Sequence, residues 1–138
     1  MKAYLQKLRE HHFKLTPRRQ AILRIFQEKS RALSPEEIFF LLKTIFKKVG
    51  LPSVYRNLET MNSIGILFKV QRPDRRLYYG LCQAKKGEHH HHIVCVECGK
   101  IGVFPECQLF DCKEIGEFEI LSHSLQLEGL CSQCKGII

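Results

Sequence analysis

The chain has 138 residues, 26% of them charged and 44% hydrophobic, and its 22 Lys and Arg against 14 Asp and Glu give a formal net charge of +8. That length holds one ordinary domain or two small ones, and small domains bury so little apolar surface that a metal staple is a natural supplement. Charges run through the opening segment (Lys2, Lys7, Arg9, Glu10, Lys14, Arg18, Arg19, Arg24) and no apolar run nears the roughly 18 residues of a membrane span, so neither an export signal nor a membrane partner is expected and the location expected is the cytoplasm.

The charge is unevenly placed. Residues 1–81 carry 17 Lys and Arg against 6 Asp and Glu, a net +11, while residues 82–138 carry a net −3. A basic half is the electrostatic footprint of a polyanion partner. In chain order, Leu5 and Leu8 begin an apolar stripe, and Thr16-Pro17 marks a helix start, because Thr caps exposed N–H groups and Pro suits the first helical position. Ala21, Ile22, Ile25 and Phe26 follow at helical spacing. Ser34-Pro35-Glu36-Glu37 is a capping box, opening a helix whose buried face would use Ile38, Leu41, Leu42 and Ile45. A third helix start is expected at Ser53, with Tyr55, Leu58, Met61 and Ile64 on one face and Gly65 ending it. Segments 66–70 and 77–79, joined by a basic turn, read as a strand pair.

Helices followed by a β-hairpin predict a winged helix-turn-helix. The helix from Ser53 would enter the major groove, with Ser53, Tyr55, Arg56 and Asn57 near its N-terminus able to reach bases or phosphates, and Arg72, Arg75 and Arg76 in the wing would meet backbone or minor groove.

The remaining residues point to metal. Seven cysteines, an odd number, fit a disulfide framework poorly in a reducing compartment. Four of them form two CxxC pairs, Cys95 with Cys98 and Cys131 with Cys134, the soft tetrahedral set of a closed structural Zn2+ site. His89-His90-His91-His92 lies just before the first pair. In an extended segment His89 and His91 face one side and His90 and His92 the other, so one run can feed two metal sites. Imidazoles alone suit zinc, iron or copper.

Together these motifs resemble the ferric uptake regulator family: 15–20 (Leu-Thr-Pro-Arg-Arg-Gln), 53–58 (Ser-Val-Tyr-Arg-Asn-Leu), His89–His92 with Cys95–Lys100, and His123-Ser124-Leu125 before Cys131–Cys134, in order over nearly the whole chain. The resemblance implies an α+β protein: a winged-helix DNA-binding domain (1–81), a hinge (82–88) and a small α/β metal-binding dimerisation domain (89–138). It implies a homodimer on double-stranded operator DNA, with no small-molecule substrate. By matching position, Cys95, Cys98, Cys131 and Cys134 would hold structural zinc; Lys14 would enter the minor groove; Tyr55 and Arg56 would lie on the recognition helix; His90 and His92 would serve a hinge-proximal regulatory site; and His89, His91 and His123 would serve a second site in the dimerisation domain.

Departures from the family pattern select a branch. Where iron- and peroxide-sensing members place a carboxylate and a histidine, this chain has Gly80 and Ala32. Cys82 resembles the hinge thiolate of zinc uptake regulators, and a soft sulfur beside imidazoles suits zinc. Phe68 and Val103 stand where further carboxylate ligands occur, leaving Glu106 or a water as simple choices for the hinge site. In the second site the usual glutamate aligns near Phe110, with Asp111 or Cys107 as candidates. Cys107 and Cys112 match no family role and read as buried core thiols, with a redox-responsive pair as the alternative. The expected function is therefore a metal-dependent repressor with zinc as corepressor. Its rivals are an iron- or peroxide-responsive regulator using Fe2+ or Mn2+, and, outside the family, a metal-storage or chaperone module, which has no use for a basic winged helix. No HxE or HExxH arrangement offers the open metal and general base of a zinc enzyme.

Overall fold

The computed structural model of the protein describes residues 1–71, 74–82, 90–104, 113–123 and 125–136. The chain divides into two compact units, Met1–Cys82 and Gln83–Ile138.

The first unit holds four helices and a hairpin: α1 (Lys2–Glu10), α2 (Pro17–Lys29), α3 (Pro35–Lys43), α4 (Leu51–Ser63), β1 (Leu67–Gln71) and β2 (Leu77–Leu81). Local chemistry sets the starts of two helices. Thr16 Oγ1 accepts from the Arg19 N–H at 3.2 Å at the head of α2, and Ser34 and Glu37 exchange both bonds of the capping box at the head of α3. The start of α4 differs from the sequence expectation. The helix begins at Leu51, capped by Gly50 rather than Ser53, because Pro52 has the φ a first turn needs and no N–H to lose there. Ser53 therefore lies within the first turn, and the apolar face is Val54, Leu58 and Met61, with Tyr55 on its flank.

These faces close one core around Leu8, Ile22, Phe26, Ile38, Leu42, Leu58 and Met61. Ile45, expected inside, is 57% exposed. Its helix stops at Lys43, where Thr44 Oγ1 bonds back to the Leu41 carbonyl at 2.7 Å and the chain leaves the helical phase. After α4, Gly65 takes a φ of +81°, a left-handed turn that glycine adopts without strain, and leads into β1. The hairpin runs antiparallel with Leu67 opposite Leu81, and Leu33 adds a bridge to Tyr79. Its described turn residues are fixed by Asp74, whose carboxylate accepts from the Arg76 N–H at 2.9 Å and the Tyr78 hydroxyl at 3.2 Å. Four helices ending in a two-stranded wing make this a winged helix-turn-helix.

The described part of the second unit is a three-stranded sheet in the order β4-β3-β7, with β3 (His91–Cys95) central, β4 (Ile101–Phe104) antiparallel and β7 (Gln126–Gly129) parallel to it, plus a short hairpin of β5 (Glu114–Ile115) and β6 (Phe118–Glu119). The parallel pairing aligns Cys95 with Gly129. The C-terminal ends of β3 and β7 thus lie side by side, and each runs directly into a CxxC turn.

Candidate nucleic-acid interface and metal centre

On the first unit the basic side chains expected at DNA sit around the N-terminal half of α4. Arg56 is exposed at the centre of the helix face that carries Pro52, and Tyr55 and Asn57 flank it, half-buried. Each flanking residue is held by a different helix. The Tyr55 hydroxyl donates to Glu36 Oε1 of α3 at 3.0 Å; desolvation and then this bond push its phenol pKa up. Asn57 Oδ1 accepts from Arg19 Nε of α2 at 3.0 Å. Arg19 also donates to the Lys14 carbonyl at 2.8 Å, so the exposed Lys14 enters from a turn tied to the same guanidinium.

The wing is joined to α4 as well. The Tyr79 hydroxyl donates to Glu59, whose carboxylate also meets Lys69 Nζ at 2.9 Å, and these two partners hold the Glu59 carboxyl below its ordinary range. Ser34, Glu36, Tyr55, Arg76 and Leu77 line a cleft of about 380 Å³ between α3, α4 and the start of β2. Arg75 and Arg76 are exposed in the turn, Arg75 with φ +63°, whereas Arg72 lies outside the described residues. Sequence reasoning missed Glu36 and Arg19. One was absorbed into a capping box and the other into a basic count, and neither has a motif that marks a brace.

Cys82 follows β2. Its N–H donates to the Ile66 carbonyl at 3.0 Å and its carbonyl accepts from the Tyr4 hydroxyl at 3.1 Å, so its main chain is pinned by two elements of the winged helix.

In the second unit four thiols converge. The sulfurs of Cys95, Cys98, Cys131 and Cys134 all lie within 4.8 Å of one another. Cys98 and Cys131 Sγ are 3.7 Å apart, close to the edge of about 3.8 Å expected for a tetrahedron built on bonds of about 2.3 Å. Main-chain geometry favours thiolates there. The Cys131 N–H reaches Cys95 Sγ at 3.4 Å, and backbone N–H groups of Cys98 and then Cys131 push the Cys95 thiol down to about 6. The Cys134 thiol is pushed up to about 12, first by its hydrogen bond with Cys131. Four thiols crowded this way share protons that one dication displaces, and the donor set closes a tetrahedral site with no open position.

The histidines alternate as an extended segment requires. The His90 and His92 rings meet edge to face with centroids 4.8 Å apart, while His91 lies 5.2 Å from His123, centroid to centroid. Desolvation, reinforced by His90 and His91, pushes His92 down to about 4. It is neutral at physiological pH, with a lone pair to offer. His89, Glu106, Cys107, Phe110, Asp111 and Cys112 lie outside the described residues.

A winged helix whose α4 is braced from α2 and α3, in one chain with a four-thiol cradle and a histidine-bearing strand, defines the class as a DNA-binding protein with residues placed to hold metal. The comparisons with known proteins agree. The model of the ferric uptake regulator family matches residues 10–128. The ferric uptake regulation protein of Bacillus subtilis is 35% identical over 136 residues, 95% of this chain and 91% of that protein. A ferric uptake regulator structure from Francisella tularensis, solved with iron, shares 33% identity, a TM-score of 0.60, and 89% and 95% coverage of the two chains. A zinc uptake regulator complexed with zinc and DNA gives a TM-score of 0.75 at 22% identity, covering 94% of this chain and 89% of that one, and bears on the fold alone. The chain belongs to the ferric uptake regulator family. Its fold is a winged-helix DNA-binding domain followed by a small α/β dimerisation domain, and it is a metal-dependent transcriptional regulator. Among the described residues no helix is long and apolar enough to cross a membrane.

Proposed function

We propose that the protein is a zinc-responsive repressor that binds operator DNA as a cytoplasmic homodimer. The observation that carries the choice of metal is Cys82, a sulfur donor pinned by Tyr4 and Ile66 at the end of the wing. A soft donor built into the DNA-binding unit suits zinc better than Fe2+ or Mn2+. In this reading Cys82, His90 and His92 hold the regulatory ion, while Cys95, Cys98, Cys131 and Cys134 hold a structural zinc. His91 and His123 contribute to a further site with His89. Lys14, Ser53, Tyr55, Arg56 and Asn57, with Arg72, Arg75 and Arg76 of the wing, contact DNA. Exposed Val103, Ile115, Phe118 and Leu121 on the second unit, up to 90% accessible, supply apolar surface of the kind a dimer covers.

The bound ion supplies charge and directional bonds. The chain's own residues turn these into a change of state, because a ligand that prefers the DNA-competent form shifts the population toward it. An iron-responsive reading is favoured by a different observation. The Bacillus subtilis and Francisella tularensis relatives, both above 30% identity, are ferric uptake regulators by name.

The two separate on duplex binding by protein retaining its structural zinc, with free Zn2+, Fe2+ and Mn2+ buffered one at a time. Tight binding switched on by zinc alone, at roughly nanomolar free ion or below given its place in the affinity order, is the expected result. Activation by Fe2+ or Mn2+ without zinc overturns the zinc assignment.

A further inference from the structure

Arg19 stands in the first turn of α2, outside the residues the sequence assigns to DNA, yet it bonds to two of them. Its Nε donates to Asn57 Oδ1 at 3.0 Å and its Nη1 to the Lys14 carbonyl at 2.8 Å. Its Cζ lies 5.5 Å from the centre of the Phe13 ring, and its own N–H is held by Thr16 at 3.2 Å. A planar guanidinium bonded through Nε and Nη1 and set over an aromatic ring has little freedom left, and a lysine in its place could not reproduce the fork.

We infer that Arg19 is a positioning residue that sets the polarity with which Asn57 meets DNA. Arginine only donates, so the amide atom facing it must be the oxygen, which fixes the orientation of an otherwise ambiguous side chain. The amide nitrogen and its two donors then face away from α2. An asparagine that reads adenine in the major groove uses both atoms, accepting from N6 and donating to N7. With its oxygen turned to Arg19, Asn57 is a donor, and its partner is an acceptor on a base edge: guanine N7 or O6, adenine N7 or thymine O4. The same guanidinium ties the turn bearing Lys14 to the recognition helix, so the two enter the duplex in fixed register.

The inference rests on the DNA-binding reading and refines it. The full-length, metal-loaded protein is used to enrich a duplex from a random-sequence library, and affinity for that duplex is measured against salt and against single-base replacements. The set is wild type, Arg19→Lys, Arg19→Gln, Asn57→Ala and the Arg19→Gln/Asn57→Ala double variant, with thermal unfolding as a folding control. Arg19→Lys and Asn57→Ala should each weaken binding about tenfold, the size of one good base contact. Both should lose discrimination at the same base position, which a purely structural role would leave intact. The double variant should fall within about twofold of Arg19→Gln, since contacting residues are non-additive. The salt slope of Arg19→Gln should match wild type. Rescue by lysine, together with a slope reduced by about 0.9 in Arg19→Gln, would make Arg19 a phosphate contact and overturn the inference. So would unchanged base discrimination in Arg19→Lys. If wild type enriches no duplex, the DNA-binding reading itself fails and this inference with it. Should the arginine variants not fold, Asn57→Ala decides alone: selectivity equal to wild type contradicts the assignment.

Discussion

At Cys98 and at His92 one side chain carries a consequence that can be measured. Cys98 is the exposed corner of the four-thiol cradle, 3.7 Å from Cys131. Structural zinc in such sites supplies on the order of 10 kcal/mol of folding free energy. Cys98→Ala is therefore expected to lose that zinc and to unfold the second unit or dissociate the dimer, read by metal content and sedimentation; a stable zinc-free dimer would contradict the cradle's role. His92 has a linkage of the same sign as a paired carboxylate, although burial rather than a charge partner is the main cause. Its pKa falls from 6.5 to about 4 in the folded state, so the unfolded chain binds the proton more readily. Its contribution is complete above pH 6.5 and is lost as pH falls from 6.5 toward 4. Denaturant unfolding across that window should show wild type losing stability more steeply than His92→Gln; parallel profiles would sink the point. The paired cysteines and the alternating histidines were legible in the sequence because spacing alone determines which atoms can converge. The braces Arg19 and Glu36 were not, because they act across helices and sequence distance carries no trace of that contact.

Among the elements, α3 shows how a local signal reaches the interface. Its capping box presents Glu36 in the first turn, where it takes the Tyr55 hydroxyl at 3.0 Å. Removing the cap with Ser34→Ala should cost about 1 kcal/mol, visible as a lowered unfolding midpoint. A loss of DNA affinity beyond that midpoint effect should accompany it, because the turn that holds Glu36 against the Tyr55 hydroxyl is no longer capped. A midpoint equal to wild type would mean that the cap contributes nothing. The starts of α2 and α3 could be read from Thr16 and Ser34, since capping depends on nearest neighbours. The start of α4 was misplaced at Ser53, because Pro52 tolerates a position inside the first turn as well as before it. Ile45 was misassigned because periodicity cannot show where a helix stops. Strands β4, β5, β6 and β7 escaped notice: they are four residues or shorter, and the parallel pairing of β7 with β3 is set by partners distant in sequence.

For the whole molecule, the charge division and the motif order show the same plan. The +11 of residues 1–81 falls on the winged helix and the acidic remainder on the metal-bearing unit. If metal occupancy governs DNA affinity, linkage requires the reverse: DNA must tighten the regulatory metal site by the same factor. The direct measurement is the affinity of the protein, structural zinc in place, for its regulatory zinc with and without a saturating specific duplex. DNA is expected to raise zinc affinity by the same factor by which zinc raises DNA affinity, about 5–150-fold for coupling of ordinary size, and Cys82→Ala to abolish both effects while the dimer persists. Zinc affinity unchanged by DNA, or full coupling in Cys82→Ala, would contradict that expectation.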